Sequence, residues 1–179
     1  MVSINKLFTQ EFEASRGPDI TINQIAELIC RGGWPRNLEL TNVQARKSMK
    51  SYVDELAAVD LQRVTGIKYN KTNVLKVLNS LARNVGTKAS DTVIGRDVGS
   101  NGVSIDRKIV AEYLDALSRV MVVENNPPWT PNLRSRSRIN GSATRYFIDP
   151  SIAAAAMGCI SADSLERRDS VSGGFCMKI

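Results

Sequence analysis

Three apolar patterns of helical period, separated by short turns, most constrain how this chain can fold. In the first, over residues 71–85, apolar residues recur every three or four positions, as on one face of an α-helix. Gly86 ends this helix, and Ser90 with Asp91 can cap a short second helix through Val98. Ser104 can cap a third helix. In that helix the residues expected to face inward are Ile109, Val110, Tyr113, Leu114, Leu117 and Met121.

The residues after the third helix predict a β-hairpin with a long turn. Residues 121–124 and 144–149 are β-prone, and residues 126–141 between them are rich in turn-forming residues. The predicted order is helix, short helix, turn, helix, strand, long turn, strand. This is the layout of a winged helix-turn-helix, over about residues 67–150.

The flanking segments predict further helices. Thr21 with Gln24, and Thr41 with Gln44, are capping-box patterns that open two helices, the second continuing with a bend to about Val64. We therefore expect a helical subdomain over residues 1–66. Residues 151–179 are expected to form a short helical extension and a tail without clear period. The predicted fold class is mainly α, with a small β-hairpin wing.

The predicted wing carries most of the positive charge. Residues 126–148 contain four arginines and no acid, and so supply +4 of the formal net charge of +6. Arg134, Arg136 and Arg138 alternate with serines, so on an extended strand they point to one side, which suits a row of phosphates. There are three alternatives to phosphate binding. The segment could be a solvated hairpin, its arginines could pack over Trp129, or they could pair with acids of another domain.

Three more basic residues complete the candidate DNA-binding set. Arg107 and Lys108 lie at the start of the third helix, whose N-terminal turn enters the major groove in helix-turn-helix proteins. Arg145 lies in the second strand. Asp106 is a mixed signal, because it repels phosphate and yet could accept a hydrogen bond from cytosine. The alternative interpretation is an ordinary surface turn, or a protein-docking module of the same layout.

Several classes of chemistry are disfavoured by composition. The chain has no histidine, which excludes imidazole catalysis and histidine-ligated metals, and its three cysteines have no metal-binding spacing. We therefore expect no metal and no cofactor. Unpaired thiols, with neither a signal peptide nor a membrane span, predict a cytoplasmic protein. Residues 32–35 (GGWP) are interpreted as a helix stop with an aromatic plug, and Asp149 as a turn or cap residue.

An ordered set of short motifs resembles a known family. The motifs are GGWP at 32–35, DL at 60–61, LARNVG at 81–86, AEYLDAL at 111–117, PPWTPNLRSRSR at 127–138 and RYFIDPSIAAAAMG at 145–158. Together they resemble the C-terminal half of a family of bacterial AAA-type ATPases, in which a domain of unknown function with a winged-helix portion follows the ATPase domain. The resemblance covers about residues 2–174, and VSINKLF at 2–8 looks like the junction with the ATPase domain.

The resemblance implies a non-catalytic module. The chain lacks the phosphate-binding loop of an ATPase, and the acid–acid–lysine site of the family's nuclease-like last portion would come after residue 174. We expect a DNA-binding or regulatory module of an AAA-type ATPase system, with double-stranded DNA as partner. The alternative is a docking or scaffold domain that packs on an ATPase domain or partner protein, or forms a homodimer. A nuclease is disfavoured, because its metal-binding carboxylates are missing from the expected places.

Overall fold

The described part of the chain is mainly helical with one small two-stranded antiparallel sheet, which confirms the mainly α part of the predicted class. A computed structural model describes residues 19–99, 103–127 and 143–159. Two short segments, a 3-10 helix at Pro35–Glu39 and a π-helix at Leu56–Asp60, accompany the α-helices. The helices are α1 (Ile22–Arg31), α2 (Asn42–Glu55), α3 (Leu61–Thr65), α4 (Lys71–Arg83), α5 (Asp91–Val98), α6 (Arg107–Arg119) and α7 (Pro150–Ala156), and the strands are β1 (Val123–Asn126) and β2 (Thr144–Phe147).

Both predicted capping boxes open their helices. The Thr21 hydroxyl accepts a hydrogen bond from the Gln24 backbone N–H at 3.3 Å, and the Gln24 side chain accepts one from the Thr21 N–H at 2.9 Å. Thr41 and Gln44 repeat this exchange at α2. Each box satisfies backbone donors that a helix start would otherwise leave unpaired. These two starts depend on residues three positions apart, which explains why the sequence predicts them.

Trp34 is a packed aromatic residue between α1 and α2, as the sequence predicts. Its ring centroid lies 5.2 Å from that of Tyr52 on α2, with the planes inclined by 51°. Burial, and then the negative charge of Asp60, raise the pKa of Tyr52 above its ordinary value of 10.0. The folded protein therefore favours the neutral phenol more strongly than the unfolded chain does.

This shift gives a prediction for alkaline solution. The contribution of Tyr52 to folding stability is fully present below about pH 10 and is lost as the pH rises through the higher folded-state pKa. Tyr52→Phe should therefore make the free energy of unfolding fall less steeply with pH. Urea unfolding of both proteins from about pH 8 to about pH 11 measures the difference, since the two proteins differ only in the Tyr52 hydroxyl. Parallel pH profiles would contradict the prediction.

Helix α7 is the centre of the described fold. It packs against α1, α2, α4 and β2. Ser151, Ile152 and Ala153 have no exposed surface. Small alanine side chains let three other helices approach the α7 backbone closely. A single buried cluster extends from Met49 to Ile152, so the predicted N-terminal subdomain, winged-helix segment and C-terminal extension all contribute residues to it. The boundaries at residues 66 and 150 stay predictions.

Helices α4, α5 and α6 pack together as the order of their apolar patterns predicts. α5 contacts both α4 and α6. The turn before α6 comes so close to α5 that the Ile105 N–H donates to the Gly95 carbonyl at 3.0 Å. A Cβ atom at Gly95 would lie 2.8 Å from the Ile105 carbonyl oxygen, so the close approach requires glycine.

Three details of the third helix differ from the sequence prediction. Asp106, not Ser104, caps α6: its carboxylate accepts from the Lys108 backbone N–H at 2.6 Å. Val110, Tyr113, Leu114 and Leu117 are buried as predicted, but Ile109 is 43% exposed and Met121 is 78% exposed. Ile109 lies in the first turn, on the side away from the core.

Met121 is exposed because the chain reverses there. It has a φ of 55° and follows the end of α6. The Met121 N–H donates to the Ser118 carbonyl and the Val122 N–H to the Leu117 carbonyl, both at 3.0 Å. This is a Schellman helix end, in which the residue after the cap is left-handed. Val122, which has no exposed surface, takes the core position that periodicity assigns to Met121.

The two strands form one antiparallel pair. Val123 is opposite Phe147, and Asn126 is opposite Thr144. The chain therefore leaves β1 at Asn126 and enters β2 at Thr144 at the same end of the two-stranded sheet. Within the described ranges, no helix combines the length and apolar content needed to cross a bilayer.

Candidate nucleic-acid interface

Arg107 and Lys108 lie at the exposed N-terminus of α6. The Arg107 side chain is 80% exposed, and its Nε atom lies 3.8 Å from Asp91 Oδ2. At this exposure and distance the ion pair holds the guanidinium weakly. Lys108 is also exposed. Because Asp106 caps the helix, its carboxylate satisfies a backbone donor, which accounts for an acid beside two cations.

Arg145 lies in a different environment. Its side chain is only 16% exposed, and its guanidinium donates to Asp91 Oδ1 and to the Ala89 carbonyl, both at 2.7 Å. Its backbone carbonyl accepts from the Gly86 N–H at 3.0 Å. Arg145 therefore attaches β2 to the loop and first turn of α5. Since the Ala89 carbonyl and Asp91 bind the two terminal nitrogens of its guanidinium, we assign Arg145 a structural role, and its contact with DNA stays a prediction.

Replacing Arg145 should destabilise the protein much more than replacing Arg107. Arg145→Met removes two short charge-assisted hydrogen bonds from a mostly buried site, with an expected loss of about 2–3 kcal/mol in the free energy of unfolding. Arg107→Met is the matched control, because it removes an exposed partner of the same carboxylate and should cost less than about 0.5 kcal/mol. Urea unfolding of both variants measures the two losses. Equal losses would contradict the structural role.

Asp91 is the residue of this region that sequence reasoning did not assign to the site. It is the first residue of α5, where the sequence predicts only a cap. In the structure its two carboxylate oxygens face Arg107 and Arg145, which come from α6 and β2. These partners are 16 and 54 positions further along the chain, so no local pattern could have shown the pairing.

The remaining predicted contacts, Arg134, Arg136 and Arg138, lie outside the described residues, as does Trp129. The sheet nevertheless shows where this segment leaves and rejoins the described part of the chain. Both ends of the segment emerge beside the Asn126–Thr144 pair, and Arg145 follows Thr144 directly. The side chains of Arg145 on β2 and Arg107 on α6 both reach the carboxylate of Asp91.

The two other motifs singled out from the sequence meet at a helix start. Asp149 caps α7 and accepts from the Ser151 N–H and the Gly33 N–H, both at 2.8 Å. Gly32, with a φ of 71°, ends α1, and a Cβ there would overlap Asp149 and Ser151. The helix-stop and cap interpretations are thereby confirmed. No cluster of acids and cysteines able to hold a metal ion occurs among residues 19–99, 103–127 and 143–159.

Comparison with known proteins gives a family without a described activity. No curated protein matches the chain, and no solved structure matches it. A family model does match, over residues 22–163. This range contains every helix and strand described above. The chain therefore belongs to the family described as Domain of unknown function (DUF8612).

Proposed function

We propose that this chain is a non-catalytic, DNA-binding module of the winged-helix type, serving a regulatory role in an AAA-type ATPase system. The link to an ATPase system rests on the motif resemblance alone. The DNA-binding part rests on geometry. Helices α4, α5 and α6 are followed by a β-hairpin, and the N-terminus of α6 is exposed and basic.

The arrangement around Asp91 is the observation that carries the proposal. It brings the exposed Arg107 and the Arg145 side chain of β2 to one carboxylate, and β2 is itself part of the arginine-rich segment of residues 126–148. A duplex that received α6 in its major groove would meet this segment at the adjacent backbone. Arg107 and Lys108 would contact groove edges or phosphates, and Arg134, Arg136 and Arg138 would bind phosphates without sequence preference.

Fluorescence anisotropy with a labelled random-sequence duplex tests the proposal. Binding that weakens steeply between about 50 and about 200 mM salt supports it, because each phosphate contact releases counterions. No binding at the lower salt would reject it.

A docking module is the second candidate, and a specific observation favours it. Val103 and Ile109, beside the basic start of α6, are 71% and 43% exposed. Exposed aliphatic side chains next to cations suit the surface of a partner protein, such as an ATPase domain, as well as they suit DNA. Association through these side chains should persist at high salt, whereas DNA binding should not.

A further inference from the structure

A groove lies between α2 and the C-terminal end of α7. Its volume is about 350 Å³, and small-molecule sites usually measure about 300–1,000 Å³. Its apolar lining includes Val43, Ala155 and Cys159. Gly158 also lines it, and a Cβ atom there would meet nothing within 4 Å in the described part of the chain. At about 30 Å³ for a group the size of water or a methylene, the groove has room for a chain of roughly ten carbons.

Three cations of α2 line the same groove, namely Arg46, Lys47 and Lys50. Lys50 lies three and four residues after the other two, so all three are on one side of the helix. Lys50 Nζ lies 3.5 Å from Asp54 Oδ2, in an exposed ion pair. Neither Arg46 nor Lys47 has an acidic partner within ion-pair distance among the residues that the structure describes. The groove therefore combines an apolar lining with cations that can accept an anion.

Arg46 is the most informative of these cations, because it is half-buried whereas Lys47 is exposed. Partial burial of a charged side chain costs free energy unless an anion compensates for the lost water. The aliphatic part of an arginine can pack along an apolar surface while the guanidinium stays at its edge. A carboxylate bound beside Arg46 and Lys47 would supply the counter-charge, in the two-pronged hydrogen bond that a guanidinium readily forms.

The small size of the apolar lining favours a small molecule over a protein partner. A stable protein interface buries about 800 Å² on each partner, around a fully buried apolar centre. The groove offers three small or medium-sized side chains and one glycine. A single aliphatic chain would cover this lining, and a single anionic head group would neutralise the cations beside it.

From these observations we propose that the groove between α2 and α7 binds an anionic amphiphile, a straight-chain carboxylate of roughly ten carbons. The tail lies against Val43, Ala155 and Cys159, and the carboxylate accepts hydrogen bonds from Arg46 and Lys47. The ligand bridges α2 and α7, and so stabilises their packing. Binding at this groove is independent of DNA binding, since it involves neither α6 nor the arginine-rich segment.

Isothermal titration calorimetry of the full chain with hexanoate, octanoate, decanoate and dodecanoate tests the ligand class, below the concentrations at which each forms micelles. Affinity should rise about two- to fourfold with each added methylene until the tail fills the groove, because full burial of a methylene gives about fourfold. Decyltrimethylammonium, which has a tail of the same length and the opposite charge, should not bind. No binding of decanoate in the millimolar range, or equal affinity for the two head groups, would overturn the proposal.

Charge reversal identifies the residues that bind the head group. Arg46→Glu combined with Lys47→Glu should lower the affinity for decanoate more than about tenfold, because hydrogen bonds to a charged group are lost. The same variant should gain binding of decyltrimethylammonium, which also shows that its groove is intact. The matched control is Lys68→Glu combined with Lys71→Glu, an equal change of charge at two exposed positions that do not line the groove. Equal losses in the two variants would reduce the effect to net charge and overturn the proposal.

Val43→Asp is a second variant, which tests the apolar lining. Val43 is 55% exposed and lies in the first turn of α2, where an acid favours the helix, so this protein should fold. It should bind decanoate several-fold more weakly, because the tail loses an apolar contact and the added acid faces the same cations. Far-UV circular dichroism checks that each variant is folded. An unchanged affinity for decanoate would show that the tail does not lie in this groove.

Discussion

Raising the salt concentration from about 50 to about 200 mM should weaken binding of a random-sequence duplex to this chain on the order of 10²–10³-fold, given five phosphate contacts. The five contacts are Arg107, Lys108, Arg134, Arg136 and Arg138. The expected slope of log affinity against log salt is close to the number of contacts, because each one releases condensed counterions. Fluorescence anisotropy over this salt range gives the slope directly.

The triple variant Arg134→Ala, Arg136→Ala, Arg138→Ala should lower that slope by about three, or about one for each lost contact. The matched control is Arg46→Ala, Lys47→Ala, Lys50→Ala, which removes the same charge from α2, where the cations line a different groove. The control should keep nearly the full slope. Equal losses in the two triple variants would show that net charge, and not the wing, determines binding.

Ile152→Ala should lower the free energy of unfolding by about 2–5 kcal/mol, because it opens a cavity at the centre of the core. Ile152 has no exposed surface and belongs to the cluster that includes residues of α2, α4 and α6. The surrounding helices are held from several sides, so they can close the cavity only in part. Urea unfolding followed by far-UV circular dichroism measures the loss.

Ile148 provides the matched control for this substitution. It lies four residues earlier in the chain and is 58% exposed. Ile148→Ala should change the free energy of unfolding by no more than about 0.5 kcal/mol. If the two alanine variants were equally stable, α7 would not be the shared centre of the fold.

The parts of the fold that the sequence predicts well depend on residues close together in the chain. The capping boxes at Thr21 and Thr41, the helix stop at Gly32 and the cap at Asp149 all involve hydrogen bonds over four residues or fewer. The apolar period of α6 predicts its buried face, with errors at Ile109 and Met121, close to the helix ends. The apolar period predicts burial least well near the helix ends, because the chain changes direction there.

The candidate site was predicted less completely. Sequence alone identifies Arg107 and Lys108 as exposed cations at a helix start, and the structure places both there. The contacts of Arg134, Arg136 and Arg138 remain predictions. Arg145 looks equivalent to them in the sequence, yet Asp91 and the Ala89 carbonyl bind its guanidinium. Composition and spacing cannot separate a structural arginine from a phosphate-binding one when the partner is distant in the chain.

By itself, the sequence determined the mainly helical class, the helix starts at Thr21 and Thr41 and the concentration of positive charge in residues 126–148. Each of these follows from side-chain chemistry acting over a few residues. Only the tertiary structure decided that α7 packs against α1, α2 and α4 and that Asp91 joins Arg107 to Arg145. Such contacts form between distant segments, because burial and ion pairing depend on which surfaces the folded chain brings together.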